Sequence, residues 1–279
     1  MKILILGATG LIGTAFSLKC KEFGIDYQEI NHEDYDIRDT IKLRESIEEY
    51  KPDIVINNVV YIGTMKCENN PKDSFSVNSI SVFELTKICK EFDIVLVHLS
   101  THYVFDGKED SYHENSKPKP LNVYGISKYC GELLLDSIYD KYYIFRLPTM
   151  YGPRRNKSEG IVDKFIRWIK ENGEISVAID KYDTPTYSLD ATEKILDIIK
   201  NKESYGIYHI SNKGYISYYN FVKEIIKLLN VECKLNKAYD REFLPLNKPL
   251  KLRIISNKIN NLRGWKEALK EYIENYYGN

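Results

Sequence analysis

Lys2-Ile3-Leu4-Ile5-Leu6-Gly7-Ala8-Thr9-Gly10-Leu11-Ile12-Gly13 is the stretch on which the fold turns. A short apolar strand runs into three glycines spaced G-x-x-G-x-x-G. Helical periodicity then starts at Leu11 and reaches Phe23. Strand, glycine turn and helix in this order suit a dinucleotide. The glycines permit a tight turn and close backbone approach to a pyrophosphate, and the helix N-terminus offers free N–H groups and a positive dipole end. Gly7, Thr9, Gly10, Leu11, Ile12 and Gly13 are therefore candidate cofactor contacts.

Outward from this turn, strands are expected at Asp26 to Ile30, Asp53 to Asn57, Ile94 to Leu99 and Tyr143 to Leu147. Helices are expected at Ser74 to Phe92 and Tyr124 to Ser137. Strands alternating with helices argue for a parallel sheet covered on both faces. The expected fold is α/β: a doubly wound parallel sheet (Rossmann) with a smaller C-terminal substrate-binding lobe. After Pro148 the pattern breaks up. Helices are read at Ile161 to Asn172, Leu189 to Asn201 and Tyr218 to Asn230, with strands at Ile175 to Ile179 and Tyr208 to Ser211. The division expected is 1–147 plus about 188–212 for the dinucleotide lobe, and about 148–187 plus 213–279 for the substrate lobe.

Composition narrows the partners. A chain of 279 residues can bury a large core, and 43% hydrophobic with 29% charged residues is ordinary for a globular protein. Forty basic and forty acidic residues cancel, which argues against a nucleic-acid partner and against a membrane surface. The opening apolar run is too short for a signal peptide or a spanning helix. Cys20, Cys67, Cys89, Cys130 and Cys233 are odd in number and scattered. They read as reduced thiols, neither a disulfide frame nor a zinc site, so the expectation is a cytoplasmic protein without a metal.

Tyr124-Gly125-Ile126-Ser127-Lys128 carries the chemistry. A Tyr and a Lys four apart on a helix share a face. The ammonium would favour the phenolate and lower the tyrosine from its usual pKa of about 10. Such a Tyr gives a proton to a carbonyl or takes one from an alcohol. Ser100-Thr101 stands upstream in the right order. At the end of the second strand, an acidic residue would bind a ribose 2′-hydroxyl and a basic one would accommodate a 2′-phosphate. Asn31 is neutral and His32 can carry charge, so the cofactor expected is NADPH (or NADH).

The glycine spacing resembles the extended branch of the short-chain dehydrogenase/reductase superfamily. Ser100-Thr101-His102-Tyr103-Val104-Phe105-Asp106-Gly107, then Pro120-Leu121-Asn122-Val123-Tyr124 to Glu132, resemble the dTDP-4-dehydrorhamnose reductase family. Pro185-Thr186-Tyr187 with Asp190, Gly206 to Ile210, and Trp265 to Leu269 extend the resemblance over nearly the whole chain.

The resemblance implies a catalytic set of Thr101, Tyr124 and Lys128 and reduction of a nucleotide-linked sugar at a C4 ketone. Tyr124 would protonate the alkoxide, Thr101 would hydrogen-bond the same oxygen, and Lys128 would also hold the nicotinamide ribose. It places Asp36 and Ile37 beside the adenine and aligns Asn57-Asn58-Val59 with the turn after the third strand. Asn58, Val59, Val60, Tyr61 and Leu99 join the cofactor contacts, and Asn78 would anchor its helix to the active-site strand. Thr101, His102, Thr149 and Tyr187 are the implied substrate contacts.

Departures matter. The family commonly has Asp after the Thr, where this chain has His102, which opens the sugar to differ from the keto-rhamnose precursor. It often has Trp where Thr149 stands. A carboxylate that joins dimers through a metal in some members would fall at Ala15. A metal-linked dimer is therefore not expected, and a homodimer stays open. Arg154 and Arg155 could grip a substrate diphosphate or form a solvated loop pair. The competing functions are a nucleotide-sugar 4-epimerase and a non-catalytic NADP-binding regulatory subunit resembling the methionine adenosyltransferase beta subunit. A 4,6-dehydratase would show an acid pair after the Thr, which Thr101-His102-Tyr103 lacks.

Overall fold

The computed structural model describes residues 1–156, 158–243, 246–260 and 262–278. The first half runs β1 (Lys2–Leu6), α1 (Leu11–Glu22), β2 (Asp26–Ile30), α2 (Thr40–Tyr50), β3 (Ile54–Asn57), α3 (Thr64–Asn69), α4 (Pro71–Phe75) and α5 (Ser81–Glu91). It continues through β4 (Val95–Thr101), α6 (Val123–Ile138) and β5 (Tyr142–Leu147). The second half holds β6 (Met150–Tyr151), α7 (Ile161–Asn172), β7 (Glu174–Ala178), β8 (Tyr182–Asp183), β9 (Thr186–Tyr187), α8 (Ser188–Lys200) and β10 (Gly206–His209). It closes with β11 (Asn212–Lys213), β12 (Ile216–Ser217), α9 (Tyr218–Leu229), β13 (Lys234–Ala238), β14 (Leu262–Gly264) and α10 (Trp265–Tyr277).

Six strands form one parallel sheet in the order β10-β5-β4-β3-β1-β2. Alternate residues of a strand face opposite sides, and β1 shows both faces covered. Ile3 and Ile5 pack with Phe16 of α1 and Ile195 of α8. Leu4 and Leu6 pack with Leu43 of α2, Leu85 of α5 and Leu135 of α6. The chain leaves β1 for β2 on one side and returns to β3 on the other. The order therefore reverses between β1 and β3, and the crevice at their C-terminal ends is where such sheets bind ligands. A separate core joins α7, α9 and α10 through Val162, Phe165, Phe221, Trp265 and Leu269.

Two helices and one interruption depart from the expectation. The α2 helix is mostly charged and buries only Leu43 and Ile47, too narrow a stripe to stand out. The α10 helix lies where only a short motif was noted. The long helix expected from Ser74 starts at Pro71 and passes through a π turn at Ser76–Ile80. That wide turn brings the Asn78 carbonyl against α6, where a Cβ on Gly131 would stand 2.3 Å from it.

Candidate active site

The glycine turn is built as a cradle. Gly7 has φ +74°, and a Cβ there would press on the backbone of Asn58. A Cβ on Gly13 would lie 2.2 Å from the Gly7 carbonyl, so α1 packs on the turn only with glycine there. Gly10 differs. A Cβ there would meet only the Gly7 carbonyl at 3.5 Å, so the protein leaves that space open. Gly10 caps α1 with no side-chain hydrogen bond, and Leu11 and Ile12 open the first turn. Open space above free N–H groups fits a pyrophosphate.

Neighbouring segments hold the turn. Asn31 Oδ1 accepts from the Thr9 N–H at 2.9 Å, so this side chain pins the loop, while His32 is exposed. Asn58 Nδ2 donates to the Leu6 carbonyl at 3.2 Å, and Val59, Val60 and Tyr61 continue half-buried from β3. Asp36 and Ile37 have partners within the chain. Arg38 Nε and Nη2 hold the Asp36 carboxylate at 2.8 and 2.6 Å and bring it to about 2, while Ile37 is closed into the core with Leu43. Arg155 is also engaged within the chain. Its Nη2 donates to the Ala8 carbonyl at 2.9 Å and pairs with Glu29 at 2.8 Å. It braces the glycine turn and is not free for a substrate diphosphate. Arg154 donates to Ser158.

Strand and helix periodicities meet at the expected catalytic set. Residues two apart on β4, His98 and Ser100, face residues four apart on α6, Lys128 and Glu132. Lys128 Nζ donates to the Leu99 carbonyl at 2.7 Å and lies 3.2 Å from His98 Nε2. The Ser100 hydroxyl donates to Glu132, which forms a buried ion pair with Arg146 at 2.7 Å. Thr101 ends β4, and its Oγ1 accepts from the Tyr103 N–H at 3.2 Å; Tyr124 lies in the first turn of α6.

The acidified tyrosine that was expected is not present. Burial pushes the Tyr124 hydroxyl up, and the nearby Thr101 side chain only partly opposes this. Burial also brings Lys128 down to about 8, against the attraction of Glu132. A lysine whose own charge is disfavoured, and which is tied to Leu99 and His98, does not dominate the tyrosine.

That lowering has a measurable consequence. Lys128 stands at about 8 in the fold against a usual 10.5. Between those values the unfolded chain holds more protons, so this group's contribution to stability rises with pH. The unfolding free energy of the wild type is expected to gain on that of Lys128→Met across this window. Urea unfolding of both proteins below, within and above the window checks it, and a constant difference would refute a disfavoured ammonium.

The remaining expected site residues each have partners of their own. Asn78 is buried and ties its helix to Tyr61 and to Ser127 of α6, not to the active-site strand: its Oδ1 accepts the Tyr61 N–H at 2.9 Å and its Nδ2 donates to Ser127 at 3.0 Å. Tyr187 is fully buried and stacks on Tyr151 with 5.6 Å between ring centroids, so it belongs to the core of the second half and not to a substrate wall. Thr149 donates to Asp183 and lies 3.1 Å from the Tyr218 hydroxyl. His102 is buried and its Nε2 meets Asp183 at 3.0 Å. Sequence reasoning passed over His98 and Asp183. His98 was readable from the alternation with Ser100, whereas Asp183, 81 positions from His102, carried no local signal.

A family model described as RmlD substrate binding domain matches residues 1–277. The spore coat polysaccharide biosynthesis protein SpsK of Bacillus subtilis (strain 168) is 29% identical, over 98% of this chain and 97% of its own. A solved dTDP-4-dehydrorhamnose reductase from Clostridium acetobutylicum gives a TM-score of 0.90 at 30% identity, covering 98% of this chain and 99% of that one. The Bacillus anthracis dTDP-4-dehydrorhamnose reductase in complex with NADP gives 0.91 at 28% identity, with the same coverage of 98% and 99%.

Proposed function

The chain belongs to the RmlD substrate binding domain family, within the extended short-chain dehydrogenase/reductases, and from that premise we propose an NAD(P)H-dependent reductase of a nucleotide-linked 4-keto-6-deoxysugar. The observation that carries the reading is the placement of Thr101 at the end of β4, with Tyr124 and Lys128 at the start of α6, at the same end of the sheet as the glycine cradle. Gly7, Thr9, Gly10, Leu11, Ile12 and Gly13 would hold the cofactor pyrophosphate, with Asn58, Val59, Val60, Tyr61 and Leu99 along the remainder. When bound, the nicotinamide supplies a hydride for C4.

The residues of this chain handle the oxygen. Tyr124 and Thr101 converge on the ketone oxygen, and Tyr124 donates its proton as negative charge develops. Its raised pKa keeps the hydroxyl protonated at neutral pH, the form a donor needs. Lys128 fixes the geometry beneath it through Leu99 and His98. Residues 1–147 with about 188–212 form the dinucleotide lobe in this reading, and Thr149 and His102 line the sugar site opposite. We place the enzyme in the cytoplasm, as a monomer or a homodimer without bridging metal. No helix among the described residues is long and apolar enough to cross a membrane.

NADPH oxidation against dTDP-, UDP-, CDP- and GDP-linked 4-keto-6-deoxysugars tests the proposal. Turnover with at least one sugar is expected, with NADPH bound at least as well as NADH. A tenfold preference for NADH, about 1.4 kcal/mol, would overturn the cofactor part. Tightly retained NAD without net oxidation would mean an epimerase. Cofactor binding with no turnover, together with a co-purifying enzyme, would mean a regulatory subunit.

A further inference from the structure

Asn57 at the end of β3, His98 on β4 and Lys128 on α6 are buried side by side, with 1%, 0% and 2% of their surfaces exposed. Asn57 and His98 are partners in the register of the two neighbouring strands. Asn57 Oδ1 accepts from the Val59 N–H at 3.1 Å, and its Nδ2 lies 3.4 Å from His98 Nδ1. His98 Nε2 lies 3.2 Å from Lys128 Nζ, which also donates to the Leu99 carbonyl at 2.7 Å.

Donors and acceptors in this row fix the protons. The Val59 N–H needs an oxygen, so Asn57 turns its amide nitrogen, a donor, to His98. Burial and Lys128 hold His98 neutral, and a neutral ring carries one hydrogen. Nδ1 then accepts from Asn57, and the hydrogen sits on Nε2, facing Lys128. An amine nitrogen has a lone pair to accept it, and an ammonium has none. A charged Lys128 therefore confronts the Nε2–H. If the ring hydrogen moves to Nδ1 to relieve this, it confronts the Asn57 amide instead. Only the amine leaves no two donors face to face, and an unpartnered buried donor is costly.

We propose that Asn57 and His98 are positioning residues that select the form of Lys128: the tautomer they fix offers an N–H to the lysine nitrogen and favours the amine over the ammonium. Charging the lysine adds one proton from solvent to the pair. The ring keeps its one hydrogen, on Nε2 against the ammonium or on Nδ1 against Asn57. Burial acts in the same direction and brings Lys128 to about 8. The consequence for turnover rests on the reductase reading above. Tyr124 becomes a phenolate as it gives up its proton, and a charged lysine four residues on favours that phenolate. The ammonium is then the working form, and Asn57 with His98 sets the pH at which the site loses it.

The other charged groups nearby do not replace this control. Glu132 favours the ammonium from one turn along α6, but Arg146 of β5 already pairs with it at 2.7 Å. Cys67 of α3 and Tyr103 act on Tyr124, and burial raises both, so they stay uncharged at neutral pH. Tyr124 is itself raised by burial and does not titrate with the lysine. The Leu99 carbonyl accepts from either form of Lys128 and does not choose between them.

Three readouts on the full-length protein decide the proposal, and two need no substrate. The first is the ring-nitrogen NMR spectrum of labelled histidine, with His98 assigned through its bonds to the backbone. Above the Lys128 midpoint it should show hydrogen on Nε2. The second is the NMR titration of Lys128, assigned by its loss in Lys128→Met, in wild type and Asn57→Asp. The aspartate keeps an oxygen for Val59 and offers the other to Nδ1–H. It should raise the Lys128 midpoint by about one unit or more and move the hydrogen of the neutral ring to Nδ1. The third is the pH dependence of kcat with the best sugar, whose alkaline limb should follow that midpoint upward. Hydrogen on Nδ1 of wild-type His98 above the midpoint overturns the proposal, and this holds even if Asn57→Asp does not fold. A folded Asn57→Asp with an unmoved midpoint overturns it too, as does a raised midpoint with hydrogen still on Nε2. A limb that stays while the midpoint moves overturns the role in turnover. A wild type that turns over no sugar refutes the reductase reading instead, while both spectra still decide the form of Lys128.

Discussion

Tyr124→Phe is expected to lower kcat on the order of 10²-fold or more while leaving the cofactor Kd within a few-fold. Only the hydroxyl is lost, and the ring keeps its packing against Tyr103, 5.9 Å between centroids. The hydroxyl acts as charge develops on the substrate oxygen, so its removal falls on the transition state and not on the ground-state complex. Thr101→Val should cost less, since it removes one hydrogen bond to that oxygen and not the proton. Steady-state kinetics with the best sugar, beside circular dichroism for folding, measure both. A folded Tyr124→Phe protein that turns over at the wild-type rate would remove Tyr124 from the mechanism.

The largest stability effect is expected at Arg146. Its guanidinium and the Glu132 carboxylate are 2% and 3% exposed and share three hydrogen bonds of 2.7 to 3.2 Å. Arg146 also lies 5.2 Å from the Phe105 ring centroid. Arg146→Met leaves Glu132 charged, buried and held only by Ser100 and the more distant Lys128. Breaking one partner of such a pair costs about 3–5 kcal/mol. For a chain of this size that lowers Tm by roughly 10 °C, at about 2–4 °C per kcal/mol. Adding Glu132→Leu should recover most of the loss, because the stranded charge goes with it. Urea unfolding of the single and double variants measures this. A loss below about 1 kcal/mol in Arg146→Met would mean that Glu132 takes up a proton instead and stands neutral.

The two effects are linked through α6. Glu132 supports the charge of Lys128 one turn away, so weakening the ion pair also disturbs the helix that carries Tyr124 and Lys128. The paired design also explains why His98 stays neutral. It is buried beside the Lys128 ammonium, and both effects hold its pKa well below the usual imidazole range.

Much of this protein is written locally. The strand, the G-x-x-G-x-x-G turn and the helix after it specify the Rossmann start, because Gly7 needs its φ of +74° and Gly13 has no room for a Cβ. The same local logic carries Thr101, Tyr124 and Lys128, whose strand and helix periods place them at one sheet edge. The α2 helix leaves little trace in the sequence, because a stripe of two buried residues barely modulates the pattern.

Tertiary structure decided what each side chain faces. The family resemblance puts Tyr187 and Thr149 on the sugar side, yet Tyr187 closes into an aromatic core while Thr149 meets Asp183. Arg155 reads as a free cation and becomes the brace of a turn some 147 positions upstream. Tyr124 reads as acidified by its neighbour and is raised instead. The physical reason is common to these cases. Charge state and partner depend on burial and on segments far away in the chain, and a pattern along the sequence measures neither. The pairing of Asp183 with His102 exists only because β8 folds back onto the end of β4, and no spacing along the chain encodes that approach.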